Sequence, residues 1–199
     1  MYVFYDTEFT DLTKDADVIS IGLITDGDQK FYGEITDFDH NKCSDFVKEQ
    51  VLPNLGNPVL LPGGADIDDY VLSVGTKEKV SADLMSWLES QRQENENIYF
   101  VSDVCHYDFV LLIDLLTNGG SAIDLPNFIS PVCEDVNALI ADFMDASQFE
   151  AFDFSREEFL KDFLRIDVSK YASQKHNALF DAYVIREIYL FLIAEDLEF

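Results

Sequence analysis

Val3 to Leu12 reads VFYDTEFTDL, a run of aromatic and β-branched residues with the composition of a buried first strand. Two carboxylates, Asp6 and Glu8, stand inside it. Side chains of a strand alternate between faces, so residues i and i+2 share one side, roughly 6 to 7 Å apart along the chain. Like charges placed so raise a carboxylate pKa and weaken the strand unless something positive sits between them. The remainder of the chain has to reveal what that is.

Lysines and arginines are too few to serve. The 199 residues hold 13 Lys plus Arg against 39 Asp plus Glu, a formal net charge of −26. Such a balance repels nucleic acids, anionic membranes and acidic proteins. It fits a solvated acidic surface that favours solubility, and it also fits a DNA mimic that decoys a DNA-binding protein. The exception is local: Arg156, Lys161, Arg165, Lys170 and Lys175 face four acids between positions 156 and 175, a net of +1. No apolar run reaches the about 18 residues of a membrane span, and MYVFYDTEF lacks the basic-then-apolar pattern of a secretory signal. The expectation is a cytoplasmic protein without a membrane partner. Cys43, Cys105 and Cys133 are widely spaced and odd in number, with no metal-ligand spacing, and read as reduced, space-filling thiols.

With 48% hydrophobic residues the chain can bury one sizeable core, so residues 1–199 are expected to form a single domain. Tyr2–Phe9, Asp17–Thr25 and Gln29–Thr36 read as strands joined by short connections, hence antiparallel. Lys42–Leu52 has helical spacing and stops before Pro53, and Pro53–Gly75, with NLGNP and LPGG, reads as loop. Ser81–Gln93 is expected to be a helix capped by Ser81. The wholly apolar Ile98–Ser102 suits a strand buried on both faces, running into a helix over His106–Leu116. A short strand at Phe128–Ser130 and helices at about Glu134–Met144, Ser155–Leu164 and Asn177–Ala194 complete the pattern. The sum is an α/β fold with a five-stranded mixed sheet, three antiparallel strands continued by parallel ones, flanked by helices.

Two helices carry acids where apolar residues belong. At about 100° per residue, Ile185, Ile188 and Leu192 fall within about 40° of Asp181, and Leu111, Leu112 and Leu115 within about 60° of Asp108. Both acids therefore point inward. An ionised carboxylate in such a place costs several kcal/mol unless paired or bound to a metal. Asp6, Glu8, Asp108 and Asp181 together, with almost no local Lys or Arg, call for a hard cation, and oxygen ligands select Mg²⁺ or Mn²⁺. Two such ions balance four carboxylates.

His176 lies five residues before Asp181, at a helix start, where the macrodipole lowers its pKa and neighbouring carboxylates raise it. Alone it reads as a surface loop residue; beside Asp181 it reads as an acid–base group. His40 and His106 have no such partner.

Asp6-Thr7-Glu8, Asp108 within CHYDFVLL, and His176 to Asp181 within KHNALFDA resemble, in order and spacing, the DEDDh superfamily of 3′-to-5′ exonucleases. FYDTEF, the ISIG strand, VLP after the first helix and the ending H-x-A-L-x-D-A are similar to the RNase AS type of exoribonuclease. The likeness covers Met1 to about Leu52, Ile98–Leu116 and His176–Phe191. It implies an RNase H-like fold and two Mg²⁺ (or Mn²⁺) ions, Asp6 bridging both, Glu8 and Asp181 completing the first and Asp108 supporting the second. It further implies His176 as general base in phosphodiester hydrolysis, with 5′-mononucleotide products. Asp103 also follows the Ile98–Ser102 strand, but Asp108 keeps register with Leu112 and Leu115, so Asp103 reads as a cap or turn residue.

By the same analogy Thr7 and Phe9 receive the terminal nucleotide; Phe9 equally serves core packing. Lys175 and Lys170 are candidates for phosphate contacts, or plain solvated lysines. The implied partner is single-stranded nucleic acid, RNA favoured, and relatives in the superfamily admit a homodimer. Two alternatives stand beside this reading: the same chemistry on DNA or short oligonucleotides, and a non-catalytic acidic decoy that keeps the fold.

Overall fold

The computed structural model describes residues 1–62 and 70–196. Its strands are β1 Tyr2–Phe9, β2 Val18–Thr25, β3 Lys30–Ile35, β4 Val71–Gly75, β5 Ile98–Ser102 and β6 Ile129–Asp135. They form one sheet in the order β4-β3-β2-β1-β5-β6. β1 pairs antiparallel with β2 and β2 with β3, whereas β1–β5, β3–β4 and β5–β6 are parallel. The expected mixed α/β sheet is present, with six strands rather than five.

The additional strand is β4, in the stretch read as loop; residues 63–69 of that stretch lie outside the described residues. β4 inverts the usual pattern, since Val71, Leu72 and Val74 are exposed and Ser73 is buried. Its Ser73 hydroxyl donates to Asp83 Oδ2 at 2.6 Å. At a sheet edge, backbone pairing to β3 holds the strand without an inward apolar face.

Helices cover both faces. α1 Lys77–Gln91 and α2 Cys105–Leu116 pack with Val3, Tyr5, Ile21 and Phe31. α3 Val136–Met144, α4 Gln148–Asp153, α5 Arg156–Phe159 and α6 Ala178–Asp196 lie on the face of Phe4 and Ile24. α4 lies where no helix was expected, and of the boundaries that differ from expectation two are instructive. α1 starts four residues earlier, with Thr76 accepting from the Lys79 N–H, and Ser81 is inside it, buried and donating to the Leu115 carbonyl at 2.6 Å. A small hydroxyl that resembles a cap is here a tie between α1 and α2. β6 is longer than the expected Phe128–Ser130 and runs to Asp135, which caps α3 through the Asn137 N–H.

One glycine fixes how α6 meets the sheet. Gly22 in β2 stands opposite Asp6 of β1, and a Cβ on it would lie 2.2 Å from Leu179 Cα. Only a residue without a side chain lets the first turn of α6 rest directly on β2, which brings Asp181 over the end of β1.

Candidate active site

Asp6 and Glu8 continue the face of Phe4 toward α6, and the β1–β2 register slips immediately after Glu8. A bulge there bends the strand locally, and pairing resumes with Phe9 opposite Val18 and the Thr10 N–H on the Asp17 carbonyl at 3.0 Å. Asp108, in the first turn of α2, is buried; it accepts hydrogen bonds from the hydroxyl of Thr7 and, at 3.2 Å, from that of Ser102. Asp181, in the first turn of α6, accepts the His176 backbone N–H at 3.0 Å. The four predicted carboxylates and His176 all line one cleft of about 570 Å³.

Within it, donor atoms of Glu8, His176 and Asp181 lie within 4.8 Å of one another, and so do those of Asp6, Asp103 and Asp108. Asp103, read from sequence as a cap or turn residue, is thus a fifth acid of the cluster. Its carboxylate pairs with Arg156 Nε at 3.2 Å. Arg156 also donates to the Ala151 and Phe154 carbonyls and to Asn137, binding the start of α5 to the strand end at Asp103. The signal for Asp103 was its place directly after β5, at the same sheet edge as Asp6. The helix-register test that selects Asp108 is blind to a residue outside the helix.

His176 has φ +61°, in the left-handed region that non-glycine residues seldom adopt. Three hydrogen bonds hold it there. Besides its own N–H on Asp181, Asn54 Nδ2 donates to the Lys175 carbonyl at 3.0 Å and the His176 carbonyl at 3.1 Å. Asn54 closes the short helical turn Leu52–Asn54, so the VLPN sequence has a local purpose: it fastens the turn carrying the histidine. Asn177 then caps α6 through the Leu179 and Phe180 N–H groups. The Phe46 ring meets the imidazole edge-on, centroids 5.0 Å apart.

Thr7 is buried, its hydroxyl directed to Asp108. Phe9 lines the cleft and stacks on Tyr107 at 6.1 Å, so it packs against α2 while staying open to the cleft. Lys175 is at the rim, 3.0 Å from Glu157. His40, His106 and Asp11 are exposed and lie outside the cleft lining.

Electrostatically the site is unbalanced. Burial first, and then the neighbouring acids, push Asp6 and Glu8 well above the usual carboxylate range, and Asp181 likewise. Burial takes Asp108 to about 7, against the opposing hydrogen bond from Thr7. Burial, helped by Lys175 and opposed by Glu157, lowers His176 below the usual imidazole value and favours the neutral ring. Five acids lining one cleft, of which only Asp103 is paired with a guanidinium, are a donor set suited to hard divalent cations, which would replace the repulsion by attraction.

A stability prediction follows from these directions. A carboxyl whose folded pKa is raised contributes stability that is complete below its unfolded pKa and is lost as pH rises through the folded one. Without divalent cation the protein is expected to melt at falling temperature from about pH 4 to beyond pH 7. Mn²⁺ should raise Tm at pH 8 and have little effect at pH 5, where protons compete for the ligands. Scanning calorimetry at both pH values tests this; a metal-free Tm that climbs steadily to pH 8 would contradict it.

No family model matches the chain. A 58-residue stretch, 29% of the chain, is 36% identical to a 3′-5′ exoribonuclease of Mycobacterium tuberculosis, in each of two strains. The match spans only about a third (34%) of those relatives' length. Among solved structures, the nuclease domain of 3′hExo, a DEDDh family member bound to rAMP, is similar with TM-score 0.63 and 14% identity, covering 98% of this chain and 92% of that one. Cell-death related nuclease 4 is similar with TM-score 0.61 and 15% identity, over 98% and 64% of the two chains. The resemblance read from the sequence is borne out at the level of the fold, which is that of DEDDh 3′-exonucleases. Among the described residues no helix is long and apolar enough to cross a membrane.

Proposed function

We propose that this chain is a divalent-metal-dependent 3′-to-5′ exonuclease of the DEDDh type, working on single-stranded RNA ends and releasing 5′-mononucleotides. The observation carrying the proposal is the convergence of Asp6, Glu8, Asp108, Asp181 and His176 on one cleft of that fold. The RNA assignment draws its support from the partial match to the exoribonuclease.

Asp6, Glu8, Asp108 and Asp181 would hold two Mg²⁺ or Mn²⁺ ions, which when bound supply Lewis-acid stabilisation of charge on the phosphate. His176 takes the proton of the water that attacks the terminal phosphodiester. Glu8 and Asp181, beside the imidazole, favour the imidazolium that results. Thr7 and Ser102 fix the Asp108 carboxylate, and Asn54 fixes the turn that aims His176. Phe9, Leu12 and Phe152 give the cleft an apolar wall for the terminal base, with Lys175 at its rim for phosphate.

The charge of −26 favours a second reading, an acidic decoy that performs no chemistry. A decoy has no use for a histidine held at positive φ between two carboxylates. The test is degradation of 5′-labelled RNA and DNA homopolymers with Mg²⁺ or Mn²⁺: stepwise shortening of RNA from its 3′ end with release of mononucleotides is expected, and a 3′-phosphate block should stop it. Because an anionic surface slows encounter most at low ionic strength, the rate should rise or stay flat from low to moderate salt. Absence of release with either cation would end the enzymatic reading, and a steep fall with salt would refute this electrostatic account of encounter.

A further inference from the structure

A second cavity, of about 410 Å³, adjoins the cleft and shares Ser155, Glu157 and Lys175 with it. Its volume falls in the range of about 300 to 1,000 Å³ usual for small-molecule sites. Val168, Tyr171, Ala172 and Phe180 give it an apolar floor, and Lys161 and Lys175 stand at its edge. Resting on the exonuclease reading above, we infer that this cavity receives the nucleotide immediately 5′ of the scissile phosphodiester, its base against the apolar floor and its phosphate toward Lys161 and Lys175.

Charge selects this route. Residues 156–175 carry a net +1, so the rest of the chain carries −27. An RNA strand leaving the cleft meets least repulsion along that segment. Glu157, Glu158 and Asp167 also border the cavity. Against Lys161 and Lys175 they leave the lining at a net −1, small beside the charge of the rest of the chain; Glu157 pairs with Lys175, and Asp167 accepts the Ser169 N–H at 2.9 Å. Lys161 is exposed and makes no ion pair among the described residues, while Lys170 lies over the Tyr171 ring at 4.8 Å. The Lys175–Glu157 pair is itself half in solvent, where such pairs are weak, so its ammonium can turn to a phosphate while water takes up the Glu157 carboxylate. Because Lys175 directly precedes His176, a phosphate held there also registers the strand against the general base.

The experiment compares two substrates. A p-nitrophenyl ester of a nucleoside 5′-phosphate fills only the cleft, its leaving group being nitrophenol; an RNA trinucleotide needs the second cavity as well. Lys161→Ala removes an exposed cation, and Ala172→Trp fills the cavity; melting curves verify folding of both. In Lys161→Ala the ratio of kcat/KM for the trinucleotide to kcat/KM for the ester is expected to fall about ten-fold, the loss of one charge-assisted contact, and in Ala172→Trp at least as far, because the indole occupies the space of the base. An unchanged ratio in variants of a protein that cleaves both substrates would overturn this site and leave the exonuclease reading intact. A wild-type protein that cleaves neither would overturn both.

Discussion

Asp6→Ala is expected to lower kcat/KM on RNA by about 10³-fold, about 4 kcal/mol of transition-state stabilisation. Asp6 is the acid nearest the middle of the site by its neighbours: Asp108, Asp181, Glu8 and Asp103 all act on it. Losing it removes a ligand from the centre of the proposed cation pair, and no other side chain of β1 can replace it, because the next residue on that face is Glu8. The fold should survive. Asp6 is repelled by every neighbouring acid, so without divalent cation the variant should melt no lower than wild type, and Asp6→Asn should melt higher, on the order of 2 kcal/mol or about 6 °C. The Tm increase with Mn²⁺ should shrink or vanish in both. Asp11→Ala, which removes an exposed acid five residues away, is the matched control and should stay within about two-fold of wild type. Near-normal RNA degradation by Asp6→Ala would show that the acid cluster is not the reaction centre.

The acids at the site were legible because each breaks a pattern. Asp6 and Glu8 interrupt an apolar strand, and Asp108 and Asp181 sit on stripes whose other members, Leu112, Leu115, Ile185 and Ile188, are buried. Periodicity detects residues inside regular elements, and there it succeeded. It does not reach Asp103, which stands between β5 and α2 and gains its significance from Arg156, 53 residues away. β4 escaped for the opposite reason: its apolar residues face solvent, so alternation gives no inward signal, and its stability comes from backbone pairing with β3 that no side chain advertises. Gly22 shows a third kind of information. ISIG was legible as a strand, but the need for a missing Cβ at Gly22 arises only when Leu179, far along the chain, rests on it.

His176→Asn is expected to lower kcat about 10² to 10⁴-fold with a much smaller change in KM, the signature of a group used in the transition state rather than in binding. Asparagine is chosen because it tolerates the left-handed backbone that His176 occupies at φ +61°, so the turn held by Asn54 and the N–H on Asp181 should persist. Alanine there would mix loss of the imidazole with backbone strain. The pH profile supplies the second readout. Burial and Lys175 disfavour the imidazolium, so the acidic limb of the wild-type profile should fall below pH 6.5, with rate lost as pH drops and the base is protonated. The measurement belongs at saturating Mn²⁺, since the raised carboxylates otherwise titrate in the same region, Asp108 at about 7. In His176→Asn the residual rate should lose that limb and rise with hydroxide concentration instead, because solvent then has to remove the proton. A variant that keeps both the rate and the limb would assign the base to another group of the cleft, and Glu8, whose carboxylate shares the cluster with His176 and Asp181, would be the next residue to replace.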